Sequence, residues 1–328
     1  MRLIVYESAL KRVASRLEPF QDQLELLVVG ADGAIRLNGE VLSEDEARPD
    51  AGWMSADAMG VRALPVALLK SPKLTWVQSG AAGVDHPIWG QLIAKGAVLT
   101  TGHGQAISIA EFILGEVLAH YQRIGERRAE QAAHRWTRLP FREIAGTHWV
   151  IVGFGAIGQA TAERARGFGA RITGVRRSGA PHPLAEHMGK LADARGVVGD
   201  ADVVVLAAPL NDETANMADA AFFAAMKPGS VLVNVGRGGL VDEAALLAAL
   251  DAGAPEFAVL DVFHAEPQPA DGPFWDHPKV AMAPHASAFG SGQATRNDEI
   301  FLENLRRRLA GEPVLYEADP RDLGKAPT

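Results

Sequence analysis

Three residues of unlike chemistry stand just past three candidate strands. Arg237 follows the run 231–235, in Asn234-Val235-Gly236-Arg237-Gly238-Gly239. Glu266 follows 257–262, in Asp261-Val262-Phe263-His264-Ala265-Glu266-Pro267, and His285 follows 280–283, in Ala283-Pro284-His285. A guanidinium can bind a carboxylate and polarise a carbonyl oxygen. An imidazole can deliver a proton near neutral pH. A carboxylate paired with a histidine favours its protonated form and fixes its tautomer. Together they suit hydride transfer to the carbonyl carbon of a 2-oxo acid with proton transfer to its oxygen. Each alone has an ordinary reading: a surface histidine, a Glu-Pro turn, an arginine in a glycine-rich loop. Their shared position at successive strand ends is what argues for a site.

Convergence requires these strands to be neighbours. Short apolar runs at 149–152, 172–175, 203–207, 231–235, 257–262 and 280–283 alternate with alanine- and leucine-rich helical patterns. Alternation of this kind predicts an α/β fold with a parallel sheet. One helix is expected over 243–250, with Asp242 as its N-cap and Gly253 near its end. Six parallel strands in the order 3-2-1-4-5-6 would set the last three side by side, about 4.8 Å apart.

The first of the six runs leads into Gly153-Phe154-Gly155-Ala156-Ile157-Gly158, a G-x-G-x-x-G sequence that opens a helix. Here Gly153 permits a tight turn, Gly155 lets the backbone approach a pyrophosphate, and Gly158 allows close helix packing. The amides of the helix N-terminus, with Ala156 and Ile157 in its first turn, would face the phosphates. An ordinary strand–helix turn is the bland alternative. Arg176 stands eighteen positions after Gly158, the distance at which a carboxylate would read the ribose 2′-hydroxyl of NAD. The chain has Arg176-Arg177-Ser178 there. Guanidinium groups fork onto a 2′-phosphate, so NADP(H) is expected to be preferred, with NAD(H) possible.

The remaining chain is read more coarsely. Its 328 residues suit two domains, and a hydrophobic fraction of 48% suits a full core. A net charge of -8 argues against nucleic acid as a partner. No run of about 18 apolar residues predicts a membrane span, and residues 1–7 read as a strand rather than a signal peptide. A cytoplasmic location is the default. Without cysteine, disulfides, thiolate metal sites and cysteine nucleophiles are excluded; no metal site is expected. Further strands are expected at 3–6, 24–29, 74–78 and 98–100, whereas residues 31–60 match no pattern. A long helix is expected over 107–128, with Ile109, Phe112, Ile113, Val117 and Tyr121 on one face, and another over 298–309. Charges near 44–46 read as an exposed loop, Arg123, Arg127 and Arg128 as a solvated face, and Arg306-Arg307-Arg308 as cations at a helix C-terminus.

With these residues in view, the chain resembles the D-isomer-specific 2-hydroxyacid dehydrogenase family over roughly residues 60–310. Asn-x-x-Arg-Gly-x-Leu-Val-Asp, beginning at Asn234, carries the likeness more specifically than the glycine loop. The resemblance places the family's catalytic Arg, Glu and His on Arg237, Glu266 and His285. It implies a Rossmann cofactor domain, 104–287, inserted in a smaller flavodoxin-like substrate domain, 1–103 and 288–328. By the same resemblance, Ala82 and Gly83 would hold the substrate carboxylate through backbone amides, beside Arg237 and His285. A plain turn before Pro87 is the bland alternative. Asp261 would meet the nicotinamide amide, Val235 and Gly236 would lie beside its ring, and Pro209 and Thr214 would flank the adenosine. The segment from Ile107 resembles the dimer-forming region, implying a homodimer, and Trp136 sits where family members can reach the partner's site. Closest in character are the NADP(H)-dependent glyoxylate/hydroxypyruvate reductases. Ala156, Gly236 and Ala283 depart from the family's usual residues without removing chemistry. Glu266 argues against formate, and the lack of a regulatory extension after residue 328 against a feedback-controlled phosphoglycerate enzyme. A non-catalytic NAD(P)-sensing protein of this fold, or a dehydrogenase of another small anion, stay open as alternatives.

Overall fold

Residues 1–58 and 60–323 are described by a computed structural model. Met59 and residues 324–328, the end of the expected 288–328 segment, lie outside the described residues. The chain divides into two compact units, one of Met1–Gln105 with Ser291–Thr328, the other of Ala106–Gly290. Each is an α/β unit built on its own seven-stranded sheet.

The first unit contains β1 (Arg2–Tyr6), β2 (Glu25–Val29), β3 (Ile35–Leu37), β4 (Glu40–Leu42), β5 (Ala51–Met54), β6 (Trp76–Ser79) and β7 (Val98–Thr100). Their order is β4-β3-β2-β1-β5-β6-β7. Among the named strands of the described residues, the antiparallel pairings are those of the β2–β3–β4 edge. Residues 31–60, unplaced by sequence pattern, supply β3, β4 and the central β5. The acidic run at 44–46 is a correction: it forms the short helix Glu44–Ala47 rather than a loop, because Ser43 and Glu46 close a capping box. The helix Gln293–Ala310 returns to this sheet, where Phe301 stacks on Trp53 at 3.9 Å between ring centroids. Arg12 on the helix Glu7–Leu17 pairs with the buried Asp298 at 2.8 Å.

One titration belongs to this unit. The His103 ring lies tilted against Tyr316, 4.2 Å between ring centroids, and its Nε2 lies 3.0 Å from Thr101 Oγ1. Burial lowers its pKa to about 4. The unfolded chain, with histidine near 6.5, therefore binds more protons between those values, and stability falls as pH drops through that window. Wild type should lose about 1–2 kcal/mol more than His103→Gln between pH 7 and pH 5 in urea unfolding. Identical losses in the two proteins would contradict this.

The second unit contains β8 (His148–Val152), β9 (Arg171–Arg176), β10 (His187–Lys190), β11 (Val203–Leu206), β12 (Val231–Asn234), β13 (Phe257–Leu260) and β14 (Val280–Met282). All seven are parallel, in the order β10-β9-β8-β11-β12-β13-β14. This corrects the six-strand expectation. The third strand of this unit is β10, absent from the apolar pattern, so the 203–207 run sits centrally between β8 and β12. The last three strands remain side by side. Strands β11 and β12 are buried along their whole length, as a sheet covered on both faces requires.

The helix expected over 107–128 is two helices, Ala106–Tyr121 and Ile124–Ala132. The break falls at Arg123, whose φ of 55° is left-handed. Arg142 accounts for it: its amide donates to the Tyr121 carbonyl, and its guanidinium lies 4.2 Å from the centre of the Tyr121 ring. Ile109, Ile113, Val117 and Tyr121 are buried on the first helix, and Phe112 packs partly buried against them. Among the described residues, no helix is long and apolar enough to cross a membrane.

Candidate active site

The loops after β12, β13 and β14 carry Arg237, Glu266 and His285. Pairing of β12 with β13 and of β13 with β14 brings these loops to one edge of the second unit. His285 Nδ1 lies 2.8 Å from Glu266 Oε2, within hydrogen-bond reach. Glu266 is itself held, since its Oε1 accepts the Phe263 amide at 2.9 Å. With Nδ1 committed to the carboxylate, Nε2 is the nitrogen left to face a substrate. The His285 side chain is 47% exposed. Phe263, Pro267, Trp275, Met282 and Pro284 line an apolar hollow beside the pair, and a low-dielectric wall strengthens such contacts.

His285 is placed by its backbone. Its φ of 52° is left-handed, a conformation uncommon outside glycine. Its amide donates to the carbonyls of Asp261 and Ala283. The Asp261 carboxylate, 2% exposed, accepts the amides of Ala286 and Ser287 at 2.8 and 3.1 Å and the Ser287 hydroxyl. Asp261 thus anchors the loop that carries His285, a role the sequence did not suggest. Asn234 does the same for the arginine loop. Its Nδ2 donates to the Arg237 carbonyl at 3.0 Å, and its Oδ1 accepts the Gly236 amide at 3.1 Å. The Arg237 guanidinium turns back on its own loop, Nη1 donating to the Gly236 carbonyl at 2.7 Å. Its neighbour Gly238 has to be glycine, because a Cβ there would sit 2.0 Å from the Phe263 carbonyl carbon.

The glycine loop leaves β8 and opens the helix Ala156–Gly167. Gly153 has φ of 95°, and a Cβ on it would lie 2.4 Å from the Ala207 backbone. A Cβ on Gly158 would lie 2.4 Å from the Gly153 carbonyl oxygen. At Gly155 the same atom would meet nothing within 4 Å, and the first-turn amides around Ala156 and Ile157 lack intrahelical partners. The cradle therefore fits a dinucleotide's pyrophosphate. Val235 and Gly236, both buried, follow β12. Thr214, 1% exposed, shapes the turn after β11: its hydroxyl donates to the Pro209 carbonyl at 2.6 Å and accepts the Asn211 amide at 2.9 Å.

Arg176 ends β9 and Arg177 follows it, and the two have separate jobs. Arg176 donates to the carbonyls of Ala180 and Pro181, stiffening its own loop. Arg177 Nε lies 3.2 Å from Glu213 Oε2. Ser178 Oγ accepts the Ala180 amide at 3.3 Å. Glu213 was not legible as a site residue, because a lone carboxylate in a polar turn carries no spacing signal. In the first unit, Ala82 and Gly83 are half-buried in the turn after β6, which leads to the helix Pro87–Ala94. Among the described residues, no group of three or more His, Asp or Glu could hold a metal ion.

A family model described as D-isomer specific 2-hydroxyacid dehydrogenase, NAD binding domain, matches residues 114–287. The chain is 35% identical to D-3-phosphoglycerate dehydrogenase of Mycobacterium leprae over 266 residues, 79% of this chain and 50% of the relative. It thus spans about half the length of the phosphoglycerate dehydrogenases it matches. With glyoxylate/hydroxypyruvate reductase B of Citrobacter koseri it shares 35% identity over 267 residues, 78% of this chain and 82% of the relative. Among solved structures, the D-isomer specific 2-hydroxyacid dehydrogenase from Xanthobacter autotrophicus Py2, in complex with NADPH and MES, matches with a TM-score of 0.76. Its identity is 28%, covering 97% of this chain and 98% of that one.

Proposed function

The chain belongs to the D-isomer specific 2-hydroxyacid dehydrogenase family, and we propose that it reduces a small 2-oxo acid of the glyoxylate/hydroxypyruvate type with NADPH, giving the D-2-hydroxy acid where the product is chiral. The observation that carries this reading is the 2.8 Å contact between His285 and Glu266 at adjoining strand ends, with Arg237 on the next strand. The cofactor, when bound in the cradle at 153–158, supplies the hydride for the carbonyl carbon. His285 Nε2–H gives its proton to the carbonyl oxygen, which becomes the hydroxyl. Glu266 fixes the ring's tautomer and supports the charge it carries before the transfer. Arg237 pairs with the substrate carboxylate and polarises the carbonyl. Val235, Gly236 and Asp261 attend the nicotinamide end, and Pro209 and Thr214 the adenosine end.

A panel of 2-oxo acids, followed at 340 nm with each cofactor, tests the reading. Turnover of glyoxylate or hydroxypyruvate, faster with NADPH, is expected. Cofactor binding without turnover of any acid would instead indicate a sensor. The phosphoglycerate dehydrogenase relatives favour a second reading, a phosphorylated three-carbon substrate, so the panel includes 3-phosphohydroxypyruvate.

Arg177 is the expected determinant of cofactor choice. Arg177→Ala should weaken NADPH binding about tenfold relative to NADH, the scale of a charge-assisted hydrogen bond. An unchanged ratio, or wild-type kcat/KM higher with NADH, would remove the NADP(H) preference. The proposed assembly is a homodimer. Trp136 is 97% exposed in the single chain and Phe141 54%, and exposed aromatics on one segment suit a protein interface. Sedimentation at the mass of one chain would oppose it.

A further inference from the structure

We infer that Glu213 narrows the discrimination between the two nicotinamide cofactors, by competing with a 2′-phosphate for Arg177. This rests on the NADP(H) reading above and adds to it a residue that works against it. In the sheet, β8 lies between β9 and β11. Arg177 follows β9, Glu213 lies in the turn after β11, and the glycine loop leaves β8 between them. Their contact, Nε to Oε2 at 3.2 Å, therefore spans the strand whose end cradles the pyrophosphate.

The carboxylate is presented by a shaped turn rather than a loose one. The Glu213 amide donates to Asn211 Oδ1 at 3.0 Å, and the adjacent Thr214 is fixed through Pro209 and Asn211. Arg176 is directed at the carbonyls of Ala180 and Pro181, so Arg177 is the arginine that faces this turn. A 2′-phosphate arriving at Arg177 must displace the carboxylate or share the guanidinium with it, against like-charge repulsion. A 2′-hydroxyl meets no such opposition, since it can donate to the same carboxylate. Glu213 thus lowers the advantage of the phosphorylated cofactor and leaves the unphosphorylated one usable.

The pair is partly exposed, 28% and 59% by side chain, so its effect is modest. Dissociation constants of NADPH and NADH, read by fluorescence titration, give the test on wild type, Glu213→Gln and Arg177→Ala. Glu213→Gln keeps the side chain's size and the turn's backbone bonds. It should raise the ratio of the NADH to the NADPH constant about three- to fivefold, and the gain should shrink at high salt. Arg177→Ala should lower that ratio. If Arg177→Ala lowers the ratio but Glu213→Gln leaves it unmoved, the competition is refuted and the cofactor reading stands. If Arg177→Ala leaves it unmoved, both fall.

Discussion

His285→Ala should lower kcat for hydroxypyruvate by at least about a hundredfold while NADPH still binds, because general acid catalysis by a placed side chain is worth about 10²–10⁴. The loss should appear in kcat as well as kcat/KM, since the proton is in flight only in the transition state. His285→Gln separates chemistry from packing. It restores a polar side chain that cannot shuttle a proton, so it should stay as slow as the alanine variant. The loop should survive both changes, because it is held from the backbone: the 285 amide on Asp261 and Ala283, and the 286 and 287 amides on the Asp261 carboxylate. Turnover close to wild type in His285→Ala would remove the histidine from the reaction.

Arg237→Ala should cost about 10²–10³ in kcat/KM, the scale of removing a preorganised donor from a developing oxyanion. Part of the loss should fall on KM, because the same guanidinium pairs with the substrate carboxylate. Arg237→Lys should recover little, since an ammonium keeps the charge but not the planar fork. Asn234 Nδ2 bonds the carbonyl of residue 237 rather than its side chain, so the loop should keep its shape in both variants. Near-UV circular dichroism and NADPH titration check that. An Arg237→Ala enzyme with wild-type KM and kcat would leave the anion to be bound by other groups.

The site was legible in the sequence because its strands are written plainly. Strands β12 and β13 read Val-Leu-Val-Asn and Phe-Ala-Val-Leu, runs that only a doubly covered sheet buries. The polar residues after them therefore had to stand at strand ends. Strand β10 reads His-Met-Gly-Lys, an edge strand whose pairing is made by backbone and leaves no apolar run. Strand β5 is central but reads Ala-Gly-Trp-Met. A Cβ on Gly52 would sit 2.5 Å from Leu68 Cδ2, so packing demanded a small residue where the pattern looks for a branched one. The break at Arg123 was hidden because a tertiary contact from Arg142 ends that helix, while the nearby Gly125 falls inside the second helix rather than at the break. Anchoring by Asp261 and Asn234, and the Arg177–Glu213 contact, depend on side-chain directions that spacing does not carry.

A double-mutant cycle on kcat, using Glu266→Gln, His285→Ala and the combined variant, is the most direct measurement. If the carboxylate acts only by orienting and charging the imidazole, it has nothing to act on once the ring is gone, so the double variant should be no slower than His285→Ala alone. Losses that multiply in full, with Glu266→Gln still costing its whole factor in the absence of the histidine, would mean the two residues act separately and would contradict the coupled pair.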